Sequence, residues 1–307
     1  MARFTLLSYE FRGVQTSAQQ GEPELFETLS KSEIEANFEK KQELFGLFFD
    51  TEHFPQTFEF NGRYYNVNLV WNYNDIIVFQ MEKKGWTNQA LNFKNKKIPN
   101  NPWIDIIVDN RYQQQLIAVR KNTTMFKYVN TVAKILEANF SAWMTRRYGL
   151  EVSVKQQYRS KVFWDIYKRF DKSHHIEKLE FKFPFPNKDW ISEQIERWMQ
   201  FGKARNGATR LGLEAEKNES LYFEENEENK AVVNACSGTG ADVIIKPKNH
   251  RAIHVVKEMN PIEQEMSDST LEKVLDASAQ QSIFEENDLT PYLKAGEFLN
   301  KCKQYYE

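Results

Sequence analysis

Two pairs of residues between Arg169 and Phe183 have the types and the spacing for phosphodiester chemistry. Arg169 and His174 are five positions apart, and an arginine can bind a phosphate while a histidine moves the proton of a neighbouring hydroxyl. Glu180 and Lys182 are two positions apart on a predicted strand, so both side chains point to the same face. There a carboxylate could hold Mg²⁺ and a lysine could orient the attacking water. The stretch therefore predicts two alternative sites, one of which uses Mg²⁺ as its cofactor and one of which uses none.

The spacing of each pair resembles that of a known nuclease family. The first is similar to HEPN-type ribonucleases, which are all helical and usually carry a polar residue where this chain has Phe170; His174 is expected in a connection before a strand. The second is similar to PD-(D/E)xK nucleases, which need a further aspartate on an upstream strand. Here Asp165 and Asp171 lie on a predicted helix or at its end. An ordinary helix, connection and half-exposed strand explains the same residues, so all three interpretations stay open.

Basic side chains occur in several clusters with polar or aromatic neighbours. The net charge is −2 and the pI is about 6.3, which excludes a general basic field that would hold duplex DNA. Local cations can still grip phosphates, and exposed aromatic rings such as Trp71 in the predicted sheet could stack on bases. The candidate nucleic-acid-binding residues are Arg146, Arg147, Lys203, Arg205, Arg210, Lys246, Lys248 and Arg251.

Other chemistry is poorly supported by the sequence. Cys236 and Cys302 are far apart without a CxxC motif, which argues against a disulfide framework and a structural zinc site. Gly238 and Gly240 follow a predicted helix and precede a strand, the reverse of a phosphate-binding loop, so they indicate a helix cap and turn. The acidic run over residues 214–228 lacks calcium-loop spacing and indicates a solvated face or a surface for a partner.

The pattern of elements predicts an α+β class, an antiparallel sheet with packed helices and a smaller helix-rich C-terminal part. Asn61-Gly62 between apolar runs predicts a hairpin, and a helix over 124–148 should end at Gly149. Ser32 and Glu35 predict a capping box at the first helix. Further strands are expected at 4–9, 58–60, 64–70, 76–81, 103–108, 116–120, 152–154, 179–183 and 242–245, the last of which could pair with 253–256. Further helices are expected at 160–170, 189–202, 230–236, 270–284 and 292–305.

The chain of 307 residues is long enough for two domains, although one continuous domain also fits. The change from a sheet with helices to a helix-rich part near 155–188 favours a division into 1–155 and 156–307. Hydrophobic residues make up 41% and charged residues 27%, which is typical of a globular protein. The start is too polar for a signal peptide, and no apolar run approaches the ~20 residues of a membrane span. We therefore expect a cytoplasmic protein with no membrane partner.

One C-terminal segment resembles a known family. Residues 228–248 read ENKAVVNACSGTGADVIIKPK and follow a strand that ends FPFPN at 183–187. This arrangement is similar to a bacterial domain of unknown function found among genes for defence against phage. The resemblance implies a cytoplasmic bacterial protein that senses or acts on foreign nucleic acid, and it supplies no catalytic residues.

Three functions follow as hypotheses. The preferred one is a non-catalytic subunit that binds or senses single-stranded RNA or DNA together with a protein partner in anti-phage defence. The second is a nuclease effector that uses Glu180 and Lys182 with Mg²⁺, or Arg169 and His174 without metal. The third is a protein-binding scaffold that uses the acidic segment and the terminal helices.

Overall fold

A computed structural model describes residues 1–14, 29–91, 94–112, 114–183, 209–216, 219–258, 260–276 and 288–303. It confirms the α+β class, with antiparallel sheets and packed helices. The strands are β1 (Ala2–Gly13), β2 (Thr57–Phe60), β3 (Arg63–Tyr73), β4 (Ile76–Lys83), β5 (Trp86–Leu91), β6 (Lys94–Pro99), β7 (Trp103–Asp109), β8 (Leu116–Arg120), β9 (Leu150–Gln156), β10 (Ile176–Phe183), β11 (Thr209–Glu214), β12 (Val243–Pro247), β13 (Ile253–His254) and β14 (Glu263–Met266). The helices are α1 (Lys31–Glu39), α2 (Lys41–Leu47), α3 (Val129–Tyr148), α4 (Ser160–His174), α5 (Glu227–Thr239), α6 (Val255–Glu258), α7 (Asp268–Val274) and α8 (Thr290–Lys303).

The large sheet has eight antiparallel strands and curls into half a barrel. Its order is β14-β1-β8-β7-β4-β3-β2, and β9 also pairs with β1. The hairpin between β2 and β3 turns at Asn61 and Gly62, which have φ values of 51° and 70°. Asparagine and glycine tolerate this left-handed backbone, so the predicted hairpin is confirmed.

Strand β1 shares one of its edges between two different partners. Its first half pairs with β14 and its second half with β9, while β8 lies along the opposite edge. Between the two halves, the Leu6 carbonyl accepts from Gln157 N and Leu6 N donates to the Ile262 carbonyl. The chain thus leaves this edge after Gln157 and returns to it at Ile262.

The described residues between these two points form a small sheet with its own helices. The small sheet has the order β11-β10-β12-β13 and is antiparallel throughout. The division into 1–155 and 156–307 stays a prediction. Strand β14, which belongs to the predicted second part, is nevertheless hydrogen-bonded to β1 of the large sheet, and α7 and α8 pack on the large sheet as well.

Three clusters of buried side chains hold these layers together. One lies between the large sheet and α1 to α3 and is rich in phenylalanine, with Phe45 in edge contact with Phe49 and Phe140. A second covers the opposite face of the large sheet with α7 and α8. The third packs α4 and α5 against one face of the small sheet, which leaves the other face of that sheet for polar residues.

Some local predictions need correction. The first helix is capped by Ser30 with Glu33, not by Ser32 with Glu35, because both pairs fit the motif and the earlier one forms. The long helix begins at Val129 and not at Thr124, since the Asn122 side chain accepts from Thr124 N and closes a separate turn. Trp71 is fully buried and donates its indole N–H to the Val274 carbonyl at 2.7 Å, so it cannot stack on a base.

Other predictions are confirmed or lie outside the described residues. Gly149 ends α3 with a φ of 66°, in the left-handed conformation that the sequence requires. The predicted strands at 152–154 and 179–183 are both present and extend further than expected. The helix expected at 189–202 and part of the one at 270–284 lie outside the described residues.

Candidate functional site

One face of the small sheet collects the chemically interesting side chains. Along β10, Leu179 and Phe181 are buried under the helices, whereas Glu180 and Lys182 are half-buried on the opposite face. This alternation confirms the predicted orientation of the pair. We call the open surface the polar face and define it by Lys178, Glu180, Lys182, Arg210, Gly212, Glu214, Asp242, Ile244, Lys246 and His254.

The strand register arranges the polar face in rows, because directly paired residues point to the same side of a sheet. In one row Lys182 pairs with Arg210, and Lys182 N donates to the Asp242 carbonyl at 3.1 Å. In the next row Glu180 pairs with Gly212 on β11 and with Ile244 on β12, and Ile244 in turn pairs with His254 on β13.

A third row lies one step further along the strands. There Lys178 pairs with Glu214 on one side and with Lys246 on the other. The predicted residues Arg210 and Lys246 therefore share a face with Glu180 and Lys182, although they come from three different strands.

Asp242 and His254 form the tightest polar contact of this face. The Oδ2 atom of Asp242 lies 2.6 Å from His254 Nδ1 and 3.5 Å from Lys182 Nζ. The other oxygen, Oδ1, is buried and has no hydrogen-bond partner among the described residues. A buried acceptor of this kind calls for a water molecule or a ligand donor. Because Nδ1 is engaged, Nε2 is the histidine nitrogen that can exchange a proton with a ligand.

The cations of the polar face are held loosely. The nearest carboxylates of the described residues lie at 3.9 Å from Lys178, 3.5 Å from Lys182, 3.6 Å from Arg210 and 3.4 Å from Lys246. By contrast, the Arg111–Asp109 and Arg120–Asp105 pairs of the large sheet are both 2.7 Å long. Long, partly exposed ion pairs contribute little free energy, so a phosphate can compete for these cations.

Gly212 opens space on this face next to Glu180. A glycine inside a strand often marks a close approach of a ligand, since no side chain covers its neighbours. A Cβ atom built on Gly212 would meet Lys178 Cε at 3.8 Å, an ordinary contact, so packing of the described residues does not require a glycine there.

The remaining predicted basic residues are spread over different places. Lys248 and Arg251 lie in the turn after β12, close to Lys246 in the chain. Arg146 and Arg147 lie at the end of α3 below the large sheet, and the Arg147 guanidinium is 4.8 Å from the Trp143 ring centroid. Lys203 and Arg205 lie outside the described residues.

The Arg169 and His174 pair lies on α4. His174 is the last residue of that helix and not part of a connection, which corrects the prediction. Arg169 is exposed on the same helix, whereas the side chain of His174 lies outside the described part of the chain, so the pairing of the two residues stays a prediction.

The upstream aspartates are not brought to Glu180 either. Asp165 is an exposed residue of α4, and Asp171 lies nearly two turns further along the same helix, which packs on the opposite face of the small sheet. Asp242, from downstream in the chain, takes the place beside Lys182. No group of three or more His, Cys, Asp or Glu side chains that could hold a metal is found within the described residues.

The two cysteines are not candidates for nucleophilic chemistry. Both thiols are buried and free of disulfides, and burial raises the pKa of Cys236 and of Cys302 far above its ordinary value. A thiol must ionise to act as a nucleophile, so both residues are part of the core.

Sequence reasoning missed the Asp242–His254 pair. The sequence predicts that strands at 242–245 and 253–256 could pair, and β12 does pair with β13. Asp242 directly precedes β12, and the second strand ends at His254 because α6 begins at Val255. Alignment of the two strands through their apolar residues places the histidine near the aspartate, so the signal lies in the apolar pattern of the strands.

No family model, no curated protein and no solved structure matches this chain. The fold and the site define an α+β protein whose small sheet carries a charged face, on which no described helix packs. In the part of the chain that the structure describes, no helix is long and apolar enough to cross a membrane.

Proposed function

We propose that this protein binds single-stranded nucleic acid by gripping its phosphates on the polar face of the small sheet. The observation that supports this most is the set of four cations, Lys178, Lys182, Arg210 and Lys246, on one open face in long ion pairs. Phosphate oxygens form charge-assisted hydrogen bonds with such groups and can replace weak carboxylate partners. The proposal includes a cytoplasmic location, which the sequence favours.

The charges of the polar face suit a single strand better than a duplex. Glu180, Glu214 and Asp242 lie between the cations and lower the positive potential of the surface. A duplex carries about one charge per 1.7 Å of its axis and needs a dense basic surface. An extended single strand presents fewer phosphates per length, so rows of cations on neighbouring strands, about 4.8 Å apart, can meet them one at a time.

The test is a fluorescence-anisotropy titration of labelled 12-nucleotide RNA and DNA in EDTA at several salt concentrations. Removing one phosphate contact to a single strand is expected to lower the salt slope of log K by about 0.7, so Lys182→Ala and Arg210→Ala should each show this loss. Lys134→Ala, which removes an exposed lysine of α3, is the matched control and should leave the slope unchanged. Equal effects of all three variants would place the binding elsewhere.

Filling the gap at Gly212 offers a second test that leaves the charges intact. We expect Gly212→Val to fold normally, because valine suits a strand and its Cβ meets only Lys178 Cε at 3.8 Å. Binding of single-stranded RNA should weaken roughly tenfold, since the new side chain fills the surface of β11 between Arg210 and Glu214 that the strand would cross. Thermal unfolding checks the fold and anisotropy checks the affinity; unchanged affinity would contradict a ligand path over β11.

The role in anti-phage defence and the protein partner remain proposals that come from the resemblance of residues 228–248. The binding titration does not test these two proposals. A scaffold protein without affinity for nucleic acid would bind its partner through the acidic segment instead. If no oligonucleotide binds at low salt, the scaffold hypothesis becomes the better one.

A further inference from the structure

We propose that the polar face also cleaves bound RNA by proton transfer, with Glu180 as general base and His254 as general acid. The inference rests on the proposed function, because the substrate must first lie across the small sheet. It goes beyond that function by assigning a reaction, a substrate class and two residues with separate roles.

The geometry comes from the row that contains Glu180, Ile244 and His254. These residues lie on three adjacent strands and point to the same side of the sheet. Neighbouring strands are about 4.8 Å apart, so the backbones of Glu180 and His254 are separated by about 10 Å. An in-line displacement at phosphorus needs its base and its acid on opposite sides of the reacting group. Glu180 and His254 flank such a position, and the half-buried Ile244 forms the floor between them.

Asp242 orients the histidine for this task. Its Oδ2 contact of 2.6 Å with Nδ1 fixes the ring and leaves Nε2 for the substrate, while the side chain of His254 is 32% exposed and within reach of a ligand. A carboxylate in this position also balances the charge of the imidazolium. Asp242 is therefore a positioning residue, and Lys182 adds a positive charge beside it at 3.5 Å.

The reaction needs no co-reactant beyond the RNA. Glu180 accepts the proton of a 2′-hydroxyl, and the 2′-oxygen forms a bond to the adjacent phosphorus. The bond from phosphorus to the 5′-oxygen breaks, and the His254 imidazolium donates its Nε2 proton to that oxygen. The products are a 2′,3′-cyclic phosphate and a 5′-hydroxyl, and solvent returns the proton from Glu180 to His254. Arg210 and Lys182 are placed to balance the charge of the pentacoordinate phosphorus.

The experiment incubates the full-length protein with a 12-nucleotide RNA and with its all-deoxy counterpart, in EDTA and in Mg²⁺, and identifies the ends by mass spectrometry. We expect cleavage of the RNA alone, in both buffers, with cyclic phosphate ends. General acid and base catalysis each contribute about 10²- to 10⁴-fold, so Glu180→Gln and His254→Gln should each lower the rate by that factor. His53→Gln, which changes an exposed histidine far along the chain, should keep the wild-type rate.

Two further readouts separate catalysis from structure. The wild-type rate should follow a bell-shaped pH profile, with Glu180→Gln and His254→Gln each removing one limb. Among the described residues, Glu180 forms ion pairs with Lys178 and Arg210, and His254 contacts Asp242, which in turn pairs with Lys182. Asp242→Asn should lower kcat more than it raises KM, because it misorients the imidazole without removing a phosphate contact.

The outcomes distinguish this inference from the proposed function. Binding of a non-cleavable 2′-O-methyl RNA without any cleavage of the normal RNA would overturn the reaction and leave the binding function in place. Cleavage that persists in His254→Gln, or that occurs only with Mg²⁺, would also overturn it. Failure of both the 2′-O-methyl RNA and the all-deoxy strand to bind would overturn both.

Discussion

Replacing Asp109 with alanine is expected to lower the free energy of unfolding by about 3 kcal/mol, the lower end of the range for breaking a buried ion pair. The carboxylate is fully buried at the end of β7. It accepts from Arg111 Nε at 2.8 Å and from Arg111 Nη2 at 2.7 Å, and it lies 3.4 Å from Lys303 Nζ. We expect the lower end because the two cations are about 30% exposed and regain some hydration.

The loss of stability in Asp109→Ala is expected to come from weaker packing of α8 on the large sheet. Lys303 belongs to α8, and burial lowers its pKa, so without Asp109 its charge becomes harder to keep at this place. Asn300 of the same helix also accepts from Arg111 at 3.3 Å. The carboxylate thus joins the C-terminal helix to the strand through two separate cations.

Urea unfolding provides the measurement. The midpoint should fall while the slope stays constant if the variant loses stability without changing the surface exposed on unfolding. Glu265→Ala is the control, because it breaks the exposed ion pair with Arg3, whose side chains are 60% and 47% exposed. Exposed pairs contribute up to about 1 kcal/mol. Equal losses in the two variants would show that Asp109 acts as a surface charge.

Much of the fold follows from local signals in the sequence. The Asn61-Gly62 turn, the end of α3 at Gly149 and the alternation along β10 each depend on a few neighbouring residues, and each was predicted. Such features are set by backbone conformation and side-chain direction, which the residue types determine within a short window.

The insertion of the small sheet into an edge of the large one could not be predicted in this way. Its signal is the pairing of β1 with two strands, β9 and β14, that are separated by more than a hundred residues. Strand β14 has only four residues and reads Glu-Gln-Glu-Met, which has little apolar character. Long-range pairing of such a strand depends on tertiary packing and leaves no mark in the local pattern.

The candidate site was only half accessible from the sequence. Residue type alone predicts the functional candidates Glu180, Lys182, Arg210 and Lys246. The strand register then brings these four residues to one face of the small sheet. Asp242 and His254 were not selected, because neither belongs to a familiar motif and their contact depends on the pairing of β12 with β13. A sheet joins residues across strands, so a site built on it is visible only when the register is known.

Gly240 lies where the candidate site joins the large sheet, and its replacement is expected to have a large effect on stability. It ends α5 with a φ of 67°, and a Cβ atom there would lie 2.4 Å from the Gln156 carbonyl oxygen and 2.8 Å from Lys155 Cβ. Around it, Ser8 Oγ donates to the Thr239 carbonyl at 2.9 Å and Tyr158 Oη donates to the Ala241 carbonyl at 2.8 Å. The end of α5 therefore packs directly on β1 and on the end of β9.

We expect Gly240→Ala to destabilise the protein by at least about 3 kcal/mol, because a left-handed conformation costs an alanine about 1–2 kcal/mol and the backbone clash adds to it. Gly62→Ala is the matched control. Its φ is 70°, but no described heavy atom lies within 4 Å of the added Cβ. It should therefore lose only the conformational part, about 1–2 kcal/mol, in the same urea experiment.

The difference in the free energy of unfolding between the two alanine variants measures how much the close contact between α5 and β9 costs when a Cβ atom is added. Gly240→Ala should also affect RNA binding and cleavage, since Asp242 follows Gly240 by two positions and orients His254. A shift of the helix end that relieves the 2.4 Å contact must move the start of β12 and with it the carboxylate. We expect Gly240→Ala, but not Gly62→Ala, to weaken RNA binding and cleavage at temperatures where both variants are folded. If the two variants lose equal stability and keep equal activity, the junction does not position the polar face, and the site must be held by the small sheet alone.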